Sequence, residues 1–137
     1  FGSRRCDCAD QLHAALLAIE HEGRGVLVYQ QAEGRGIGLT NKLRAYALQD
    51  HGLDTFEANT SLGFAPDQRN YEIPVEMLKK IGVHSVRLLT NNPEKVGELE
   101  RLGIHVVERL PLQPSTHKDN ERYLRTKKDR FGHFLYF

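Results

Sequence analysis

Cysteine, charge imbalance and long apolar runs are all scarce in this chain, and each scarcity closes off a class of protein. Two cysteines among 137 residues are too few for a disulfide scaffold. Nineteen Lys and Arg against eighteen Asp and Glu leave a net charge of +1. That balance argues against a chain whose main work is coating nucleic acid or a membrane surface. No apolar run approaches the roughly 20 residues that span a bilayer, and nothing near the start reads as a signal peptide. A reducing cytoplasm is therefore the expected compartment. Internal repeats, linkers and low-complexity stretches are absent, and so is the G-x-x-x-x-G-K-[ST] phosphate loop.

What remains is globular in composition, 39% apolar and 27% charged. The length predicts one domain over residues 1–137, large enough to hide about two-thirds of the surface its unfolded form exposes. The chain begins with Phe1 and not Met, so it reads as a piece of a longer polypeptide.

Periodicity then divides the chain. Leu12, Ala15, Leu16 and Ile19 recur at helical spacing, and Gly23 follows as a stop signal. Residues 25–30 (GVLVYQ) read as a buried strand, and 31–38 as a glycine-rich loop. A helix fits 39–50, with Leu39, Leu43 and Ala47 on one face; 53–70 read as irregular and polar. Pro74 opens a further helix that Gly82 closes. A strand over 84–90, a helix from Asn92 to Gly103, a strand over 104–109 and a charged helix over 120–130 complete the series, before an apolar tail, 131–137. Strands alternating with helices predict an α/β fold, a mixed, mostly parallel sheet flanked by helices. In such sheets ligands lie beyond the carboxyl ends of the strands.

Four features carry chemistry. Cys6 and Cys8, one residue apart, cannot bridge without strain; they suit either two structural thiols or two ligands of a borderline metal such as zinc. Glu33-Gly34-Arg35-Gly36 allows backbone amides to approach an anion and adds a guanidinium fork, although an ordinary turn has the same composition. Thr90 to Lys95 (TNNPEK) ends a strand and caps a helix, whose N-terminus can hold phosphate or can simply be well capped. Asp67 and Arg69 can be a surface ion pair, in a loop long enough to suggest function. Tyr46 reads as a half-buried core residue, and Lys127-Lys128-Asp129-Arg130 as a solvated helix face.

Taken together these residues resemble the catalytic part of the GTP cyclohydrolase II family. The likeness rests on FGSRRCDC (1–8) with Gln11, EGRGIGLTNKLRAYALQD (33–50), the run from Asp54 to Arg69, RLLTNNPEK (87–95), ERLPL (108–112) and YLRTKKDRFGH (123–133). The resemblance implies an enzyme of riboflavin synthesis. Such an enzyme takes GTP and water to a diaminopyrimidinone ribosylamine phosphate, formate and pyrophosphate, using zinc and magnesium. It implies that Cys6 and Cys8 are two of three zinc-binding cysteines, the third lying before this chain starts. It implies that Gln11, Glu33, Gly34, Arg35, Thr55, Thr90 and Lys95 hold GTP. Asp67 matches a proton acceptor, Arg69 a nucleophile on the α-phosphorus, and Tyr46 a tyrosine near the purine. Because Arg is a poor nucleophile at its ordinary pKa, electrostatic clamping of the α-phosphate is the safer physical role for Arg69.

The resemblance further implies a homodimer and the option of an upstream dihydroxybutanone-phosphate synthase domain. An alternative is a catalytically impaired nucleotide-binding paralogue, or an inactive fragment without a complete zinc site. A zinc-structured nucleic-acid module fits poorly, because the chain has no basic and aromatic stripe.

Overall fold

The computed structural model describes residues 2–65, 67, 69–113 and 115–136. Phe1, Pro66, Gln68, Pro114 and Phe137, which figured in the motifs and loops above, lie outside the described residues. The helices are α1 (Cys8–Glu22), α2 (Leu39–Asp50), α3 (Thr55–Ser61), α4 (Glu72–Lys80), α5 (Pro93–Arg101) and α6 (Glu121–Phe131). Two strands, β1 (Ser85–Leu89) and β2 (His105–Leu110), flank α5, and a 3-10 turn over Glu33–Gly36 precedes α2. The class is the expected mixed α/β. The chain divides into two compact units, one of residues 1–29 with 71–137 and the other of residues 30–70.

The larger unit is organised by a β1–α5–β2 crossover. Its strands are parallel, with Ser85 opposite His105 and Leu89 opposite Leu110, and the register shifts after Val86. Parallel neighbours need a connection of about a dozen residues, usually a helix, and α5 supplies it. Asn92 caps α5 by accepting from the Glu94 amide at 3.1 Å, with Pro93 at the first helical position. Leu99 of α5 then meets Val75 and Leu78 of α4 and Ile104 in a buried cluster on which Val86, Leu88 and Val106 of the sheet pack.

Two expectations for this unit are corrected. Residues 25–30 form no ladder, and the sheet among the described residues has two strands. Val28 packs on the core, but Val26, Leu27 and Tyr29 are exposed. Apolar β-formers make a strand favourable, but a strand exists only where a neighbour takes its backbone hydrogen bonds. The second correction concerns α6. Lys127 is not on a solvated face but buried, beside buried Leu124 and Thr126.

The smaller unit pairs α2 with α3. The boundaries of α2 are those its periodicity predicts, but Leu39, Leu43 and Ala47 are exposed and the helix buries Ala45. Residues 53–70, expected to be irregular, contain α3. Asp54 caps it: its carboxylate accepts from the Glu57 amide at 2.8 Å, and its own amide donates to the Glu57 carboxylate at 2.9 Å. That reciprocal capping box holds a helix of only seven residues.

Candidate active site

In residues 30–70 the glycine-rich turn and the polar loop meet through one carboxylate. Gly34 and Arg35 both adopt left-handed backbone, each at φ 60°. At Gly34 a Cβ would lie 2.8 Å from Ile37 Cγ1, so the turn needs glycine there for space as well as conformation. Arg35 is the one non-glycine residue of positive φ among those described. Its guanidinium Nη1 donates to Asp67 Oδ2 at 3.1 Å. Arg69 grips the same carboxylate: its amide donates to Oδ1 at 3.0 Å, its Nε to Oδ1 at 2.9 Å, and its Nη2 to Oδ2.

Burial pushes the Asp67 carboxyl up, but the Arg69 hydrogen bonds and charge, with the charge of Arg35, more than offset this and hold it below the usual carboxylate range. Asp67 is therefore an anion between two cations. The expected Asp67–Arg69 pair exists, but it is partly buried and shared, not a solvated surface pair.

Glu33, at the start of the same turn, accepts from Lys42 Nζ at 2.6 Å. Lys42 lies on α2 one turn before Tyr46, with its ammonium 5.8 Å from the Tyr46 ring centre, within cation–π range. Tyr46 is half-buried, as expected. Thr55 is the first residue of α3, directly after the Asp54 cap. No motif singles out Lys42. Its only cue in the sequence is its place nine residues after Glu33 on the helix leaving the turn.

In the larger unit Thr90 closes β1. Its amide donates to the Leu110 carbonyl at 3.0 Å and its hydroxyl accepts from the Asn92 amide at 3.1 Å. Lys95 stands in the first turn of α5, its ammonium 6.0 Å from the Tyr71 ring centre. Cys6 is buried and donates weakly to the Ser3 carbonyl at 3.9 Å, while Cys8 is exposed. A hydrogen bond with Cys6 pushes the Cys8 thiol up, and the ammonium of Lys127 pulls it the other way. Gln11 reaches back to donate to Asp7, which lies between the two thiols.

Two adjacent sulfur donors fit two positions of a thiolate metal site. Among the described residues no group of three or more His, Cys, Asp or Glu is placed to hold a metal. No helix among them is long and apolar enough to cross a membrane.

Comparison with known proteins decides the family. The family model described as GTP cyclohydrolase II matches residues 1–111. The chain belongs to the GTP cyclohydrolase II family. It is 56% identical over 137 residues to "Riboflavin biosynthesis protein RibBA" of Bacillus subtilis (strain 168), covering 100% of this chain and 34% of that relative. Over 135 residues it is 58% identical to the proteins of the same name from Bacillus mycoides (strain KBAB4) and Bacillus cytotoxicus, covering 98% of this chain and 34% of each. The chain thus spans 34% of the length of these curated relatives.

Proposed function

We propose that this chain is the catalytic part, over residues 1–137, of an enzyme that opens the imidazole ring of GTP at C8. It releases formate and pyrophosphate and leaves 2,5-diamino-6-(5-phosphoribosylamino)pyrimidin-4(3H)-one. The observation that carries the reading is the Arg35–Asp67–Arg69 cluster, which joins the glycine-rich turn to the polar loop in a chain of this family. The names of the relatives support a place in riboflavin synthesis.

Cys6 and Cys8, with at least one further ligand, hold zinc, which supplies Lewis-acid activation of water at neutral pH. The chain's own side chains supply the rest. Asp67 accepts a proton, a role its anionic state permits. The Arg69 guanidinium, doubly hydrogen-bonded to that carboxylate, clamps the α-phosphate electrostatically. Glu33 accepts from the guanine N1–H and amino group, and Tyr46 lies near the purine. Gln11, Gly34, Arg35 and Thr55 complete the grip on the nucleotide. Thr90 and Lys95 at the N-terminus of α5 offer donors and charge to phosphate oxygens, with magnesium assisting. A homodimer and an upstream dihydroxybutanone-phosphate synthase domain belong to the same proposal. The second of these is supported by relatives of which this chain covers 34%.

The test is incubation of the full-length protein with GTP, zinc and magnesium, with formate and pyrophosphate assayed separately. Both products are expected. Pyrophosphate without formate would overturn ring opening, and neither product would overturn the enzyme reading.

A further inference from the structure

We propose that Lys127 is a positioning residue for the thiol turn: acting through Asp7, it fixes the Cys6 and Cys8 side chains as neighbouring metal ligands. This rests on the reading of the two cysteines as zinc ligands given above. Its first ground is a cap that is not made. Asp7 is the N-cap residue of α1, where Asp ordinarily turns its carboxylate onto the exposed amides of the first turn. Here no side-chain cap bond forms. Oδ1 instead accepts from Lys127 Nζ at 2.7 Å, and Oδ2 accepts from the Gln11 side-chain amide. A local bond is given up for one that spans 120 residues.

The second ground is where Asp7 lies. Cys8 is the first residue of α1 and moves with the helix, whereas Cys6 stands just outside it. The backbone angles of Asp7, φ −109° and ψ 13°, therefore set where the Cys6 sulfur falls relative to that of Cys8. The two thiols hydrogen-bond to each other, so both donors converge. The Asp7 side chain is fully buried with both oxygens held, and relaxing its backbone breaks the bond to α6. Lys127 is itself held in place. Its carbonyl accepts from the Gly132 and His133 amides, and its ammonium lies 4.8 Å from the Tyr123 ring centre.

Charge explains why this contact is ionic. A buried ion pair commonly adds no more stability than apolar side chains of the same volume, so docking α6 does not require one. A carboxylate between two metal-bound thiolates is a third neighbouring anion, and the ammonium offsets it.

The experiment measures zinc affinity of the full-length protein by competition with a chromophoric chelator, alongside urea midpoints. Lys127→Met should bind zinc about 10- to 100-fold more weakly, the usual effect of removing a group that orients a metal ligand. Leu99→Ala opens the core around α5 instead. It should lower the urea midpoint and keep the parent's zinc affinity, which separates positioning from destabilisation. In the Asp7→Asn background Lys127→Met should add no further loss, because its action runs through the carboxylate. Parent-like affinity in Lys127→Met, an equal loss in Leu99→Ala, or multiplicative losses in the double variant would each overturn the proposal.

Should Lys127→Met not fold, the parent protein still decides. Coupling is reciprocal, so zinc should slow amide exchange around Lys127 more than around Leu99; equal slowing would overturn the proposal. Should the parent bind no zinc, the metal reading fails on its own account. Capture of the thiols by phenylarsine oxide, which needs both sulfurs on one arsenic, then decides the positioning role. Slower capture in Lys127→Met supports it, and capture at the parent's rate overturns it.

Discussion

The ammonium of Lys127 lies 2.7 Å from the carboxylate of Asp7, 120 residues away in the chain, and both side chains are buried. Asp7 sits between Cys6 and Cys8 and also accepts from Gln11, so α6 reaches the thiol turn through one ion pair. Removing one partner of such a pair leaves an uncompensated buried charge. Lys127→Ala should therefore cost about 3–5 kcal/mol, read as a lowered urea midpoint. Lys127→Met combined with Asp7→Asn should recover part of the loss. A Lys127→Ala protein as stable as its parent would show that the pair contributes nothing.

Metal loss should separate the two halves of the proposed reaction. Chelation, or Cys6→Ser, is expected to abolish formate release and to lower bound zinc measured by elemental analysis. If Cys6→Ser keeps both zinc and formate release, the assignment of Cys6 is wrong.

Two glycines should respond to alanine with opposite sign. Gly34→Ala places a Cβ 2.8 Å from Ile37 Cγ1 at φ 60° and should destabilise by about 1–3 kcal/mol. Gly97 lies inside α5, where an added methyl group would meet nothing within 4 Å and the backbone φ is not positive. There alanine should stabilise by about 0.5–1 kcal/mol. Thermal melts of the two variants check the pair, and equal shifts would contradict the turn geometry.

Asp67 sets a pH window for stability. Its folded pKa lies below the ordinary value of 3.8, so its contribution is present above that value and lost as pH falls through the lower folded one. Asp67→Asn should therefore be less stable than the parent at pH 7, and the gap should narrow on acidification below 3.8. Melting both proteins across this range tests it; a gap independent of pH would show that the carboxylate charge is not what stabilises.

Much of the helical framework is legible in the sequence because its signals are local. The boundaries of Leu39 to Asp50 follow from its periodicity, and Asn92-Pro93 announces α5. Even α3, in a stretch expected to be irregular, carries its cue in Asp54 and Glu57, the spacing of a capping box. The candidate strand at 25–30 fails for the opposite reason: its residues state a preference, and its partner is a matter of the whole fold.

Local patterns sufficed for the α/β class and the family, since these follow from caps, periods and motifs a few residues long. Long-range packing alone made Lys127 a buried partner of Asp7, set Lys42 on Glu33, and turned Arg35 onto Asp67. Each is a charge whose meaning depends on what faces it. Residues 120 and 32 apart face each other only where the chain's path has brought them within hydrogen-bond range, which no local pattern encodes.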